Sequence, residues 1–132
     1  MKTRFFLLIT ILLGGLMFQS CSKKETAAPV GYPSGTRSLV GNVTYASNGS
    51  TTSPAPGAVV YLKIGSKDAT TSYDVTTVAD ANGHYKFSGL DKGDYYVWAD
   101  YTDPKGMKFT GAGSGVSLAS TGGDLSADLS LQ

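Results

Sequence analysis

From residue 37 onward, apolar and polar positions alternate in short runs with a period of two, as in strands that bury one face. In Ser38–Tyr45 one side carries Leu39, Gly41, Val43 and Tyr45. In Ala58–Ile64 it carries Ala58, Val60, Leu62 and Ile64, opposite Val59, Tyr61 and Lys63. Tyr73–Ala79 is a further β-branched run. His84–Ser88 sets Tyr85 and Phe87 against His84, Lys86 and Ser88, and Leu90 closes that run. Tyr95–Tyr101 sets Tyr95, Val97, Ala99 and Tyr101 against Tyr96, Trp98 and Asp100. The pattern predicts a core face containing Tyr85, Phe87, Tyr95 and Val97, with Tyr96 and Trp98 outward. Met107–Thr110 and Val116–Ala119 are short strand candidates around a glycine-rich hinge, Gly111–Gly115. The last run, Asp124–Leu131, points Leu125, Ala127, Leu129 and Leu131 inward.

Turn formers separate these runs. In Asp80-Ala81-Asn82-Gly83, Asn and Gly tolerate positive φ, and the Asp carboxylate can accept local backbone N–H groups. Asp91-Lys92-Gly93-Asp94 and Thr102–Gly106 turn the chain again. Ala46–Gly57 holds too many breakers for a strand and reads as a polar loop. About seven strands result, with no helical period after residue 20 and no internal repeat. The expected fold is all-β: one seven-stranded antiparallel Greek-key β-sandwich over residues 37–132.

The beginning of the chain has a different character. Lys2 and Arg4 precede a 14-residue apolar run from Phe5 to Phe18. At about 1.5 Å per residue that run spans roughly 21 Å, short of the ~30 Å hydrocarbon core, so it suits a signal peptide better than a membrane span. Leu16-Met17-Phe18-Gln19-Ser20-Cys21 resembles a bacterial lipobox, in a relaxed form like those of Bacteroidota, with Cys21 as the lipidated residue. Ordinary cleavage near Thr26-Ala27-Ala28 is the alternative, but that site lies well beyond the apolar run. Residues 1–20 are thus read as a lipoprotein signal peptide. Residues 21–36, with Pro29, Gly31, Pro33 and Gly35, are read as the lipidated cysteine and a flexible tether. The implied address is the cell envelope, anchored in a membrane and facing either the periplasm or the surface.

Charge narrows the partners. The chain has 11 Lys+Arg against 10 Asp+Glu, and loss of Lys2 and Arg4 with the signal leaves 9 against 10, or −1. A near-neutral balance argues against nucleic acid, which calls for a basic stripe. With Cys21 as the single cysteine, no internal disulfide is available.

The spacings then support a resemblance. Leu39-x-Gly41-x-Val43, Gly57-Ala58-x-Val60-x-Leu62 and Thr77-x-x-Asp80-x-x-Gly83-x-Tyr85-x-Phe87-x-x-Leu90-x-x-Gly93-x-Tyr95-x-Val97 together resemble the carboxypeptidase regulatory-like domain family, a relative of transthyretin-like and Cna-B-type sandwiches. The resemblance runs from about Leu39 to Tyr101. It implies a prealbumin-like sandwich acting as an accessory, adhesive or structural module.

Catalytic chemistry finds little support. The only histidine, His84, sits on an outward strand position, and with Cys21 assigned to the anchor no nucleophile–base pair is apparent. One histidine cannot supply the usual zinc ligand set, so neither a metal nor a cofactor is expected. The transthyretin-like hydrolases need further histidines and a C-terminal Tyr-Arg-Gly-Ser that this chain lacks. A Cna-B-type isopeptide would need a first-strand lysine, where only Arg37 stands, and an interior acid, while Glu25 is the sole Glu. Asp91, Asp94, Asp100 and Asp103 are candidates to gather at one end of the sandwich, although turn chemistry already accounts for Asp80 and Asp91. The strongest binding signal is aromatic: Tyr96 and Trp98 facing outward, with Tyr61 on a neighbouring strand, can stack on sugar rings or meet a protein. A carbohydrate-binding module is accordingly the alternative to a display or structural role.

Overall fold

A computed structural model describes residues 35–49 and 51–132. The expected signal peptide, Cys21 and the expected tether as far as Ser34 lie outside the described residues. The strands are β1 (Arg37–Ala46), β2 (Thr52–Pro54), β3 (Val59–Ile64), β4 (Val75–Val78), β5 (His84–Leu90), β6 (Gly93–Thr102), β7 (Lys108–Thr110), β8 (Ser114–Leu118), β9 (Leu125–Ser126) and β10 (Leu129–Leu131). Two sheets face each other, as the alternation predicts. In the first, β1 is central: its start pairs with β5 on one side and β9 on the other, and its end pairs with β2 and β10. The second runs β4–β3–β6, with β7 and β8 both pairing with β6. Taking β5/β2, β7/β8 and β9/β10 each as one interrupted strand position leaves the compact arrangement that the sequence pattern describes.

The buried face is the one read from the alternation. Tyr85, Phe87, Tyr95 and Val97 are all 3% exposed or less, and Leu39, Val43, Val60, Leu62, Leu129 and Leu131 join them. Burying one such aliphatic side chain contributes about 1.5–3 kcal/mol, so a period of two over several strands suffices to fix the register. Gly41 permits the closest approach. A Cβ there would lie 2.0 Å from the Ala127 carbonyl oxygen and 2.7 Å from the Tyr85 ring. Its absence lets the last strand and Tyr85 meet over β1.

Three features depart from the expectation. Thr52–Pro54 forms a short strand inside the presumed polar loop, because Thr44, Tyr45 and Ala46 offer it a free ladder edge. The loop then buries Ala55 completely. The closing strand runs parallel to β1, so the sandwich is not wholly antiparallel. That strand is also split between Ser126 and Leu129, where the Asp128 carboxylate accepts the Asn42 backbone N–H at 2.8 Å. A carboxylate takes the place of a ladder bond there. Finally, Gly35 already docks on the domain, its N–H donating to the Gly89 carbonyl at 2.9 Å.

Candidate functional site

The outward positions of the second sheet gather into one aromatic cluster. Register places Tyr61 of β3 opposite Trp98 of β6 and Val59 opposite Asp100, so Tyr61, Trp98 and Asp100 share a face. The Tyr61 and Trp98 rings stack at 5.3 Å with 17° between planes. Tyr73, from the segment leading into β4, leans on Tyr61 at 4.9 Å and meets Trp98 edge-on at 6.4 Å. Tyr96 abuts Trp98 at 5.6 Å. The expected trio of Tyr61, Tyr96 and Trp98 is therefore in one place, but its members differ in access. Tyr96 is 9% exposed, with Gly113 packed against the end of its ring, and its hydroxyl accepts the Gly113 N–H at 3.1 Å. Tyr61 and Trp98 are half-buried, whereas Tyr73 is 52% exposed.

These rings border a cleft of about 770 Å³ whose other walls include Thr70, Thr71, Asp100 and Thr110. The Asp100 carboxylate lies close enough to the Tyr61 hydroxyl to act on its ionisation. Partial burial, then the charge of Asp100, push its phenol pKa above the ordinary value, so Tyr61 remains a neutral donor at physiological pH. Among the described residues no Lys, Arg or His lines this cleft. Flat apolar rings beside hydroxyls and one carboxylate can hold a ligand with an apolar face and a hydroxylated rim.

Tyr73 and Asp100 are the residues that the sequence reading did not assign to the site. Parity alone puts Asp100 beside Trp98. Tyr73 depends on the β3–β4 register, in which Thr76 rather than an aromatic residue lies opposite Tyr61.

The other polar candidates are committed to structure. Asp80 accepts the backbone N–H groups of Asn82 and His84 at 2.8 and 3.0 Å, and these bonds hold its pKa below the usual value. His84 is exposed beside a second cleft of about 500 Å³. There Asn42 is tied to Asp128, its side chain donating at 3.1 Å. The four aspartates do not gather at one end. Asp91 and Asp94 sit at the start of β6 and Asp103 lies just past its end, roughly 30 Å away along an extended strand. Asp103 caps its own turn by accepting the Lys105 and Met107 N–H groups at 2.9 and 2.8 Å. Among the described residues no group of three or more His, Cys, Asp or Glu is placed to hold a metal ion.

Comparison with known proteins agrees with the architecture. The family described as SdrD B-like domain matches residues 39–128, which supports the Cna-B side of the resemblance. Two crystal structures of BcpA, the major pilin subunit of Bacillus cereus, are similar at 20% and 21% identity, with TM-scores of 0.51 and 0.50. Each match covers 74% of this chain and 30% of the pilin, so the chain spans under a third of the pilin's length. At that identity the likeness establishes the fold. No curated protein matches the chain.

Proposed function

The chain belongs to the SdrD B-like domain family, and on that premise we propose that it is a non-enzymatic module of the cell envelope, held to a membrane by lipid on Cys21. The order of parts carries this reading. A basic start, an apolar run and Cys21 are followed by a Pro- and Gly-containing tether, which leads directly into the central strand of a rigid sandwich. Several acyl chains at Cys21, at about 0.8 kcal/mol per buried CH₂, make a stable anchor. The sandwich beyond the tether then serves as an adhesive or structural unit, in keeping with its likeness to a pilin fold and to carboxypeptidase regulatory-like domains. The resemblance to Bacteroidota lipoboxes favours the outer membrane as the site of anchoring. The partner is a protein or a glycan, and nucleic acid is disfavoured by the balance of charge.

Intact-protein mass and membrane fractionation of the wild type beside Cys21→Ala test the anchor. A lipid-sized mass increment and membrane retention, both lost in the variant, are expected. Two soluble, unmodified proteins would overturn the reading. Protease shaving of whole cells then distinguishes surface display from a periplasmic position.

A further inference from the structure

We propose that the cleft bordered by Tyr61, Tyr73 and Trp98 binds a neutral glycan, with a pyranose ring laid on the aromatic surface and its hydroxyl rim held by Asp100 and the neighbouring threonines. Tyr61 and Trp98 stack on each other on the outer side of a sheet whose inner side already supplies the core, and Tyr73, 52% exposed and outside any strand, adds ring surface that packing of the sandwich does not explain. A pyranose has one C–H face that suits such a surface and a rim of hydroxyls that needs acceptors and donors. Asp100 supplies the acceptor. Its carboxylate stands beside the Tyr61 hydroxyl and offers lone pairs to a ligand's hydroxyls. Thr70, Thr71 and Thr110 add hydroxyls that donate or accept.

Charge selects among ligands. With a carboxylate and, among the described residues, no cation at its walls, the cleft disfavours phosphate, sulfate and uronate groups. Its volume of about 770 Å³ lies within the roughly 300–1,000 Å³ of small-molecule sites. The aromatic rings touch one another at centroid separations of 4.9–6.4 Å, so a ligand lies across them rather than enclosed between them. That geometry suits a flat saccharide ring better than a caged ammonium, which needs rings around a void.

The inference goes beyond the display reading and does not depend on Cys21. Fractionation reads the anchor, and titration reads the cleft. Trp98 is the only tryptophan in the chain, so its fluorescence reports on this site alone. The full chain, purified in lauryldimethylamine oxide to keep sugar headgroups out, is titrated with malto-, cello-, xylo- and laminarihexaose, with calorimetry in parallel. Saturable quenching and heat with at least one of them are expected. Tyr73→Ala and Asp100→Asn should each weaken binding about tenfold, the scale of one lost stacking contact or charged hydrogen bond. Because Tyr73 lies outside the strands, its variant tests the site without threatening the fold. Trp98→Ala should abolish the heat, and His84→Ala, beside the other cleft, should leave it unchanged. No response to any of the four sugars would overturn the proposal. So would affinity retained in both Tyr73→Ala and Trp98→Ala, or a response confined to heparin hexasaccharide or a proline-rich peptide.

Discussion

Tyr85→Phe removes a single oxygen from the interior, and the structure says what that oxygen does. Tyr85 is 3% exposed, and its hydroxyl donates to the Ala127 carbonyl, which sits at the break between β9 and β10. Phenylalanine keeps the ring and its edge-on contact with Phe87 at 6.0 Å, so the cavity left is only a hydroxyl in size. A typical hydrogen bond contributes ~0.5–1.5 kcal/mol net, but a buried acceptor left without its partner costs ~1–3 kcal/mol. The orphaned carbonyl sets the scale here, and we expect a loss of about 1–3 kcal/mol. In a domain of this size that corresponds to roughly 4–20 °C in Tm. Urea unfolding followed by Trp98 fluorescence and by circular dichroism should show a lower midpoint with an unchanged slope. A loss below about 0.5 kcal/mol would refute the reasoning, because the Ala127 carbonyl would then have another partner. The same phenol carries a pH signature. Burial, then the charge of Asp128, raises its pKa well above 10.0, so the folded state holds its proton more tightly. The stability this contributes is complete below the unfolded value and declines as pH rises beyond it, so the gap between wild type and Tyr85→Phe should narrow at alkaline pH.

Other consequences can be measured alongside. Gly41→Ala should destabilise the domain by about 1–3 kcal/mol or more, because its Cβ would meet a backbone oxygen at 2.0 Å; a neutral result in thermal melts would contradict that approach. Asp80 has its pKa lowered from 3.8, first by the His84 and then by the Asn82 backbone hydrogen bonds. Its contribution is therefore present above the unfolded pKa and lost as pH falls through the folded one, so the Tm difference between wild type and Asp80→Ala should shrink on acidification. A difference independent of pH would count against it. Asp74 accepts the Ile64 N–H at 2.8 Å and pairs with Lys63 at 3.2 Å, both side chains being about a third exposed. Asp74→Ala should thus cost more than Lys63→Met, which removes only a solvent-screened pair contributing about 0–1 kcal/mol; equal losses in urea melts would reverse that ranking.

The core was legible because alternation is a two-state signal. Once Tyr85 and Phe87 are apolar between His84, Lys86 and Ser88, the inward face of β5 is decided. The turn at Asp80–Gly83 was legible for a similar reason, since Gly83 does adopt a φ of 80°. β2 was not, because its three residues are strand only by virtue of the edge they dock on. Likewise, nothing local to Tyr96 announces that Gly113 will pack against its ring. Parity states which way a side chain points, while cover depends on where a distant segment settles. The cleft shows both sides of this. Tyr61, Trp98 and Asp100 could be aligned from the sequence, but the contribution of Tyr73 required the path of the chain between β3 and β4.

The parallel pairing of the first and last strands has a mechanical consequence. Val43, Thr44 and Tyr45 run beside Leu129, Ser130 and Leu131 in the same direction. A pull on the domain at Arg37 and Leu131 therefore drags these neighbours past each other in shear, loading the rungs of the ladder together rather than peeling them one by one. Force applied across Arg37 and Leu131 is thus shared by the Val43–Leu129, Thr44–Ser130 and Tyr45–Leu131 pairs at once.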